Sequence, residues 1–234
     1  IFVFLSGDAE AESLYPLEPS QVFSGHGRRD EIGQSFEVID LNQDGFLDLV
    51  YGAKGADIGL VDSGAIYIHH GEASGRFAQE PTQRLSSNQN DDALGSSIAV
   101  CDFNGDGWLD IAGGALRYEN RRDDPISWNE GGLFLYLGDA SGFPSAPDQV
   151  LIGKQHLGSN AWGGMVNYQM GYRLSAGDYN GDDLCDVAIS SVSWAMQGRG
   201  IVYLYSGRAA MGLELGGLSP LPVAIIESDE PQDQ

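Results

Sequence analysis

Asp102-Phe103-Asn104-Gly105-Asp106-Gly107-Trp108-Leu109-Asp110 stands near the middle of the chain, with a near-copy on either side. The copies are Asp40-Leu-Asn42-Gln-Asp44-Gly45-Phe46-Leu-Asp48 and Asp178-Tyr-Asn180-Gly-Asp182-Asp183-Leu184-Cys-Asp186. Each puts a side-chain oxygen at positions 1, 3, 5 and 9 and offers the main-chain carbonyl of position 7. Such a loop wraps one hard cation. Calcium takes about six to eight oxygens in loose geometry, whereas magnesium demands a tighter octahedron. The candidate ligands are therefore Asp40, Asn42, Asp44, Phe46 and Asp48 in the first loop. Asp102, Asn104, Asp106, Trp108 and Asp110 follow in the second, and Asp178, Asn180, Asp182, Leu184 and Asp186 in the third. About three Ca2+ ions are expected. Position 6 calls for positive φ, which suits Gly45 and Gly107; Asp183 reaches it at some cost, so the third site is expected to be the weakest. Clusters of Asp, Asn and Gly are also ordinary turn formers. That plainer reading serves one cluster well and three clusters in register poorly.

The flanks decide what carries the loops. A helical calcium hand needs a glutamate at position 12, but Tyr51, Gly113 and Ile189 stand there. Ser35-Phe-Glu-Val-Ile39 and Leu47-Asp-Leu-Val50 alternate or run apolar with β-branched residues, which predicts strands. Two further markers recur. One is an apolar strand ending in glycine: Ile1-Phe-Val-Phe4 before Gly7, Ile66-Tyr-Ile68 before Gly71, Leu133-Phe-Leu-Tyr136 before Gly138, and Ile201-Val-Tyr-Leu204 before Gly207. The other is a proline entering a short strand, at Pro19, Pro81, Pro147 and, more loosely, Pro222. Each repeat thus holds four strands, A to D, with the acidic loop between A and B.

Four short antiparallel strands recurring at this long period predict an all-β fold, a β-propeller of four-stranded blades. The chain reads as a C–D half blade over 1–25 and blades over about 26–88, 89–153 and 154–227, fourteen strands in all. It carries about three and a half blades and is incomplete alone. Residues 228–234 form an acidic tail. The missing blades are expected from a companion chain, from further sequence or from an unusual closure; the opening residue, which is not Met, points to a longer or processed chain. Two copies are an awkward solution, since each begins with a C–D half and has no spare A–B half to lend.

Composition agrees with many short strands joined by turns: 33 glycines and 42% hydrophobic residues. The formal charge of −22, from 34 acidic and 12 basic residues, argues against nucleic acid and anionic membrane as partners. The acid falls at regular points instead of in one block, which again suggests a cation. Cys101 and Cys185 are too few for a disulfide framework and are expected to be small buried apolar residues. Ile1-Phe-Val-Phe-Leu5 is too short for a signal-peptide core, and no stretch is long enough to span a bilayer.

Phe-Gly before strand A and Gly-Ala-Pro after strand B name the FG-GAP repeat of integrin α-subunit propellers, which this pattern resembles. The first element stands here as Ile32-Gly33, Leu94-Gly95 and Met170-Gly171. The second stands as Tyr51-Gly-Ala53, Gly113-Gly-Ala115 and the more drifted Ile189-Ser-Ser191. The resemblance covers nearly the whole chain. It implies a propeller in an extracellular adhesion or secreted protein, with calcium, but no particular ligand.

Strand order puts the A–B loops on one face and the B–C and D–A loops on the other. The long insertions fall on that second face, where rigid scaffolds tend to carry function. Arg117, Tyr118, Arg121, Arg122, Trp128, Trp162, Tyr168 and Trp194 are the candidate partner-binding residues there, of types that anchor proteins or stack on sugars. Packing of these aromatics onto the blade tops is the plainer account, and the arginines also neutralise Asp123 and Asp124. A binding or adhesion module outside the cell that recognises protein or glycan is the leading expectation. The alternative is a calcium-dependent polysaccharide lyase or hydrolase, or its noncatalytic subunit. No serine elbow, phosphate loop or zinc-type histidine pair is present.

Overall fold

The structure is a computed structural model that describes residues 1–5, 18–25, 27, 29–87, 89–119, 129–152, 169–192, 200–209 and 216–227. Among these the fold is all-β, without a helix. Strands β1 (Phe2–Val3) and β2 (Gln21–Val22) form a two-stranded sheet. The first complete sheet joins β3 (Ile32–Ile39), β4 (Asp48–Ala53), β5 (Ala65–His69) and β6 (Gln83–Ser86) in sequence order. The second joins β7 (Leu94–Cys101), β8 (Asp110–Ala115), β9 (Gly132–Tyr136) and β10 (Gln149–Ile152). In the third, β11 (Met170–Gly177) and β12 (Asp186–Val192) are followed by β13 (Gly200–Tyr205). A small extra hairpin, β14 (Gly207–Arg208) and β15 (Gly217–Leu218), precedes its outer strand β16 (Ala224–Glu227). That hairpin raises the strand number above the fourteen expected; the blades themselves have the expected four.

All neighbouring strands within a sheet are antiparallel. The sheets stack face to face, and one apolar cluster lies in each gap. Phe23, Ile1 and Val3 meet Leu49, Tyr51 and Tyr67 in the first gap. Val50, Ile66 and Ile68 meet Leu94, Ile98 and Ile111 in the second. Leu133, Leu135 and Leu151 meet Met170, Val187 and Ile189 in the third. A sheet pressed between two others is buried on both faces, which is why β4, β5, β8 and β9 are buried at every residue and read as apolar runs. The row of sheets does not close on itself: these are blades of an incomplete β-propeller.

The strand-A glycines explain how blades nest. Gly33, Gly95 and Gly171 have φ of 84°, 86° and 94°, each at a register shift in its strand pair. A Cβ on Gly52 of β4 would run into the Gly95 carbonyl, and one on Gly114 of β8 into the Gly171 carbonyl. Backbone therefore packs on backbone between successive blades, and the two halves of the repeat motif are the two sides of one contact.

Cys101 and Cys185 correct the reading of them as plain apolar residues. They form a disulfide with Cα atoms 6.0 Å apart across a separation of 84 residues. Nothing in either local sequence marks the pairing; only the stacking of the second and third blades brings the end of β7 beside the start of β12.

Candidate metal centre

Each acidic loop turns between strand A and strand B and is held by its own side chains in one repeated pattern. The position-1 carboxylate accepts the N–H of position 5 (3.1, 3.3 and 3.2 Å for Asp40, Asp102 and Asp178). It also accepts the N–H of position 6, at 2.9, 2.9 and 3.0 Å. The position-3 asparagine Oδ1 accepts the same position-5 N–H, and its Nδ2 donates to the position-5 carboxylate at 2.9 Å in all three loops. Position 5 accepts the N–H of position 7 at 2.8, 2.8 and 3.0 Å. The expected left-handed position 6 is present in every loop: φ is 89° at Gly45, 91° at Gly107 and 67° at Asp183.

Position 9 closes the arrangement. Asp48, Asp110 and Asp186 are the first residues of β4, β8 and β12 and are almost wholly buried. One carboxylate oxygen accepts the N–H of position 2, from Leu41, Phe103 and Tyr179. The other accepts an N–H from the C–D turn: Gly71 at 2.7 Å, Gly138 at 2.9 Å and Gly207 at 3.0 Å. Sequence reading used these glycines as markers of spacing and missed them as parts of the site. Their recurrence 23, 28 and 21 residues after position 9 was the available signal.

Charge follows burial. Burial pushes the Asp110 carboxyl up to about 7; the Gly138 and Phe103 N–H groups oppose this, and the nearby Asp106 and Asp102 charges add to it. Asp44, in solvent, is held below the usual carboxylate range by the Phe46 N–H and the Asn42 amide. Among the described residues, no three His, Cys, Asp or Glu side chains gather into a metal cluster by themselves. Two of each loop's five proposed donors are an amide oxygen and a carbonyl. The donor set is all oxygen, and although Oδ1 of Asp102 and of Asp178 each accept two N–H groups, every carboxylate has at least one oxygen that accepts a single N–H and keeps a lone pair, so the residues fit a hard cation in kind.

Neighbouring loops touch. Gln43 Nε2 donates to the Gly107 carbonyl at 2.6 Å, joining the first loop to the second. Cys101 directly precedes Asp102, and Cys185 holds position 8 of the third loop, so the disulfide ties loop to loop. The Cys185 N–H also donates to the Asp102 carbonyl at 3.2 Å.

Of the candidate partner residues, the structure places two. Arg117 lies on the opposite face, its N–H donating to the Asp92 carbonyl and its guanidinium 4.0 Å from Asp62. Tyr118 packs edge-on against Phe134 at 5.1 Å, so its ring belongs to the second blade's packing. Arg121, Arg122, Trp128, Trp162, Tyr168 and Trp194 lie outside the described residues.

Residues 40–113 match the family of the FG-GAP-like repeat. That stretch holds the first two acidic loops and the Gly52–Gly95 contact between blades. The chain carries FG-GAP-like repeats. It is similar to integrin alpha-6 of Homo sapiens, 30% identical over 184 residues that make up 76% of this chain and 14% of that protein. It is likewise similar to integrin alpha-7 of Rattus norvegicus, 32% identical over 189 residues, 78% of this chain and 14% of that protein. A third relative is the phosphatidylinositol-glycan-specific phospholipase D of Bos taurus, 32% identical over 167 residues, 68% of this chain and 18% of that protein. The FG-GAP-bearing chain thus spans under a fifth of the length of these curated relatives.

Proposed function

We propose that this chain is a calcium-binding segment of an extracellular or cell-surface propeller that recognises a protein or glycan through the face opposite its acidic loops. The observation that carries the reading is the threefold hydrogen-bond pattern, ending each time in a buried carboxylate between the A–B loop and the C–D turn. Such an ion would be held by the side chains at positions 1, 3, 5 and 9 and the carbonyl of position 7. It would supply positive charge to a loop that carries three aspartates. Adhesion and an outside location draw support from the likeness to proteins named integrin alpha. Among the described residues, no helix is long and apolar enough to cross a membrane.

Calorimetric titration of chelator-treated protein with CaCl2 tests this. About three ions per chain are expected, with stability rising by about 2.7 kcal/mol per site at a hundredfold excess over Kd. A flat titration, or equal heat and equal stabilisation from MgCl2, would sink the metal reading. The likeness to a phospholipase D favours a second reading, in which the segment serves as the noncatalytic part of a calcium-dependent hydrolase. Turnover of a phosphodiester or polysaccharide by the chain alone would replace both with an enzyme.

A further inference from the structure

Strand D opens on a glutamine in three successive sheets: Gln21 in β2, Gln83 in β6 and Gln149 in β10, each two residues after the entering proline. In each case the side-chain amide crosses to the C–D turn of the next blade and takes both main-chain groups of one residue there. Gln21 donates to the Phe77 carbonyl at 2.8 Å and accepts the Phe77 N–H at 2.9 Å. Gln83 does the same to Phe143, at 2.5 and 3.2 Å, and Gln149 to Leu218, at 2.9 and 3.0 Å. A side-chain amide carries a donor and an acceptor side by side, as a strand backbone does, whereas a carboxylate has no donor to give. Strand D forms without it: β16 opens on Ala224 and still pairs with β13. The glutamines are placed for the neighbouring blade.

The residue that each amide holds lies one step from an acidic loop. Phe77 bridges to Gly71, and Leu218 pairs with Gly207. In the second blade Asp139 bridges to Gly142, which sets Gly138 and Phe143 opposite each other as the next pair of the antiparallel turn. Gly71, Gly138 and Gly207 are the glycines whose N–H groups meet the buried carboxylates of Asp48, Asp110 and Asp186. The same line of contacts thus runs three times, from strand D of one blade through the C–D turn of the next to position 9 of that next blade's loop.

We propose that Gln21, Gln83 and Gln149 are positioning residues for the acidic loop of the following blade. Each fixes the C–D turn so that its glycine N–H stays on the position-9 carboxylate, and each loop is therefore completed from the blade before it. The consequence for calcium rests on the metal reading given above; the hold on position 9 does not.

The test uses the full chain, labelled with nitrogen-15. Hydrogen exchange in chelator is read at the Gly71, Gly138 and Gly207 amides. A CaCl2 titration is read at the amides of Gly45, Gly107 and Asp183, position 6 of the three loops. In Gln83→Ala, exchange at Gly138 should speed about tenfold, as the loss of an ordinary hydrogen bond allows. Gly71 and Gly207 should hold. Half-saturation at Gly107 should need about tenfold more calcium, the lower end of what outer partners of a metal site contribute, with Gly45 and Asp183 unmoved. Gln149→Ala should transfer both effects to Gly207 and Asp183. Gln83→Glu keeps the size and the acceptor but loses the donor, and should change the same two amides as Gln83→Ala; the unmoved loops report that each variant is folded. Unchanged exchange at Gly138, or an equal change at all three glycines, overturns the proposal. So does a calcium shift at Gly45, the loop of Gln83's own blade, in place of Gly107. If Gly107 ignores CaCl2 in the unsubstituted chain, the metal reading alone falls, and exchange in chelator decides the role of the glutamines.

Discussion

Asp110 and Asp44 occupy the same kind of loop but do different work, and the difference is burial. Asp110 answers two buried main-chain donors, the N–H groups of Phe103 and Gly138. Asp110→Ala leaves both unsatisfied, and at about 1–3 kcal/mol for each orphaned donor the metal-free protein should lose about 2–6 kcal/mol. Asp44→Ala removes an exposed carboxylate, so the metal-free Tm should hardly move. Both variants should bind one calcium ion fewer. Paired chelator and calcium melts check this; equal metal-free losses would show that position 9 is no more structural than position 5. Gly114→Ala concerns chiefly the blade contact, with Ser97 Oγ of its own blade crowded as well. Its methyl meets the Gly171 backbone, which cannot swing aside as a side chain would. Overpacking of this kind costs about 1–3 kcal/mol, which for a chain of this size lowers Tm by several degrees. Much of this was legible in the sequence because it is local: donors at fixed spacing and a residue type dictated by φ. What was not legible depends on the next blade. Gln43 reads as a spacer in its own loop, yet it has φ of 60° and caps the Gly107 carbonyl of the neighbouring one.

Strands were readable for a related reason. A four-stranded sheet gripped on both faces must present apolar runs, and the turns between its strands must present glycine, proline and aspartate. Periodicity therefore located β3 to β13 and β16. The two-residue strands β14 and β15 carry too little pattern to be found, and the pairing of Cys101 with Cys185 carries none. That disulfide joins the strand end before Asp102 to position 8 of the third loop, so its loss should be felt at two acidic loops and not at the first. Closing a loop of 84 residues stabilises by roughly 2–5 kcal/mol, by whatever balance of entropy and enthalpy. The Cys101→Ser, Cys185→Ser double variant should melt correspondingly earlier. Under the calcium reading, it should bind ions severalfold more weakly at the second and third loops, with the first unchanged. Isotherms of the double variant, with and without Asp44→Ala to silence the first loop, resolve this. Uniform weakening at all three loops would mean that the disulfide acts on the fold as a whole.

Across the whole molecule, the charge balance sets the conditions under which this stack of blades holds. The chain carries a formal −22, and nine of its carboxylates sit at positions 1, 5 and 9 of three neighbouring loops. Like charges so placed repel one another most in the compact state, and two remedies act on them differently. Salt screens them from outside: the Debye length falls from about 30 Å at 0.01 M to about 3 Å at 1 M ionic strength. A bound divalent ion cancels them at the source, and three such ions would remove roughly a quarter of the net charge. The two remedies compete for the same repulsion, so their effects should not add. In chelator, Tm should climb steadily as NaCl is raised across that range. In saturating calcium the climb should be shallower, and the gap between the two curves should narrow. Parallel curves would mean that the loop carboxylates are not where the repulsion lies, and that the acidity of the chain serves its surroundings more than its fold.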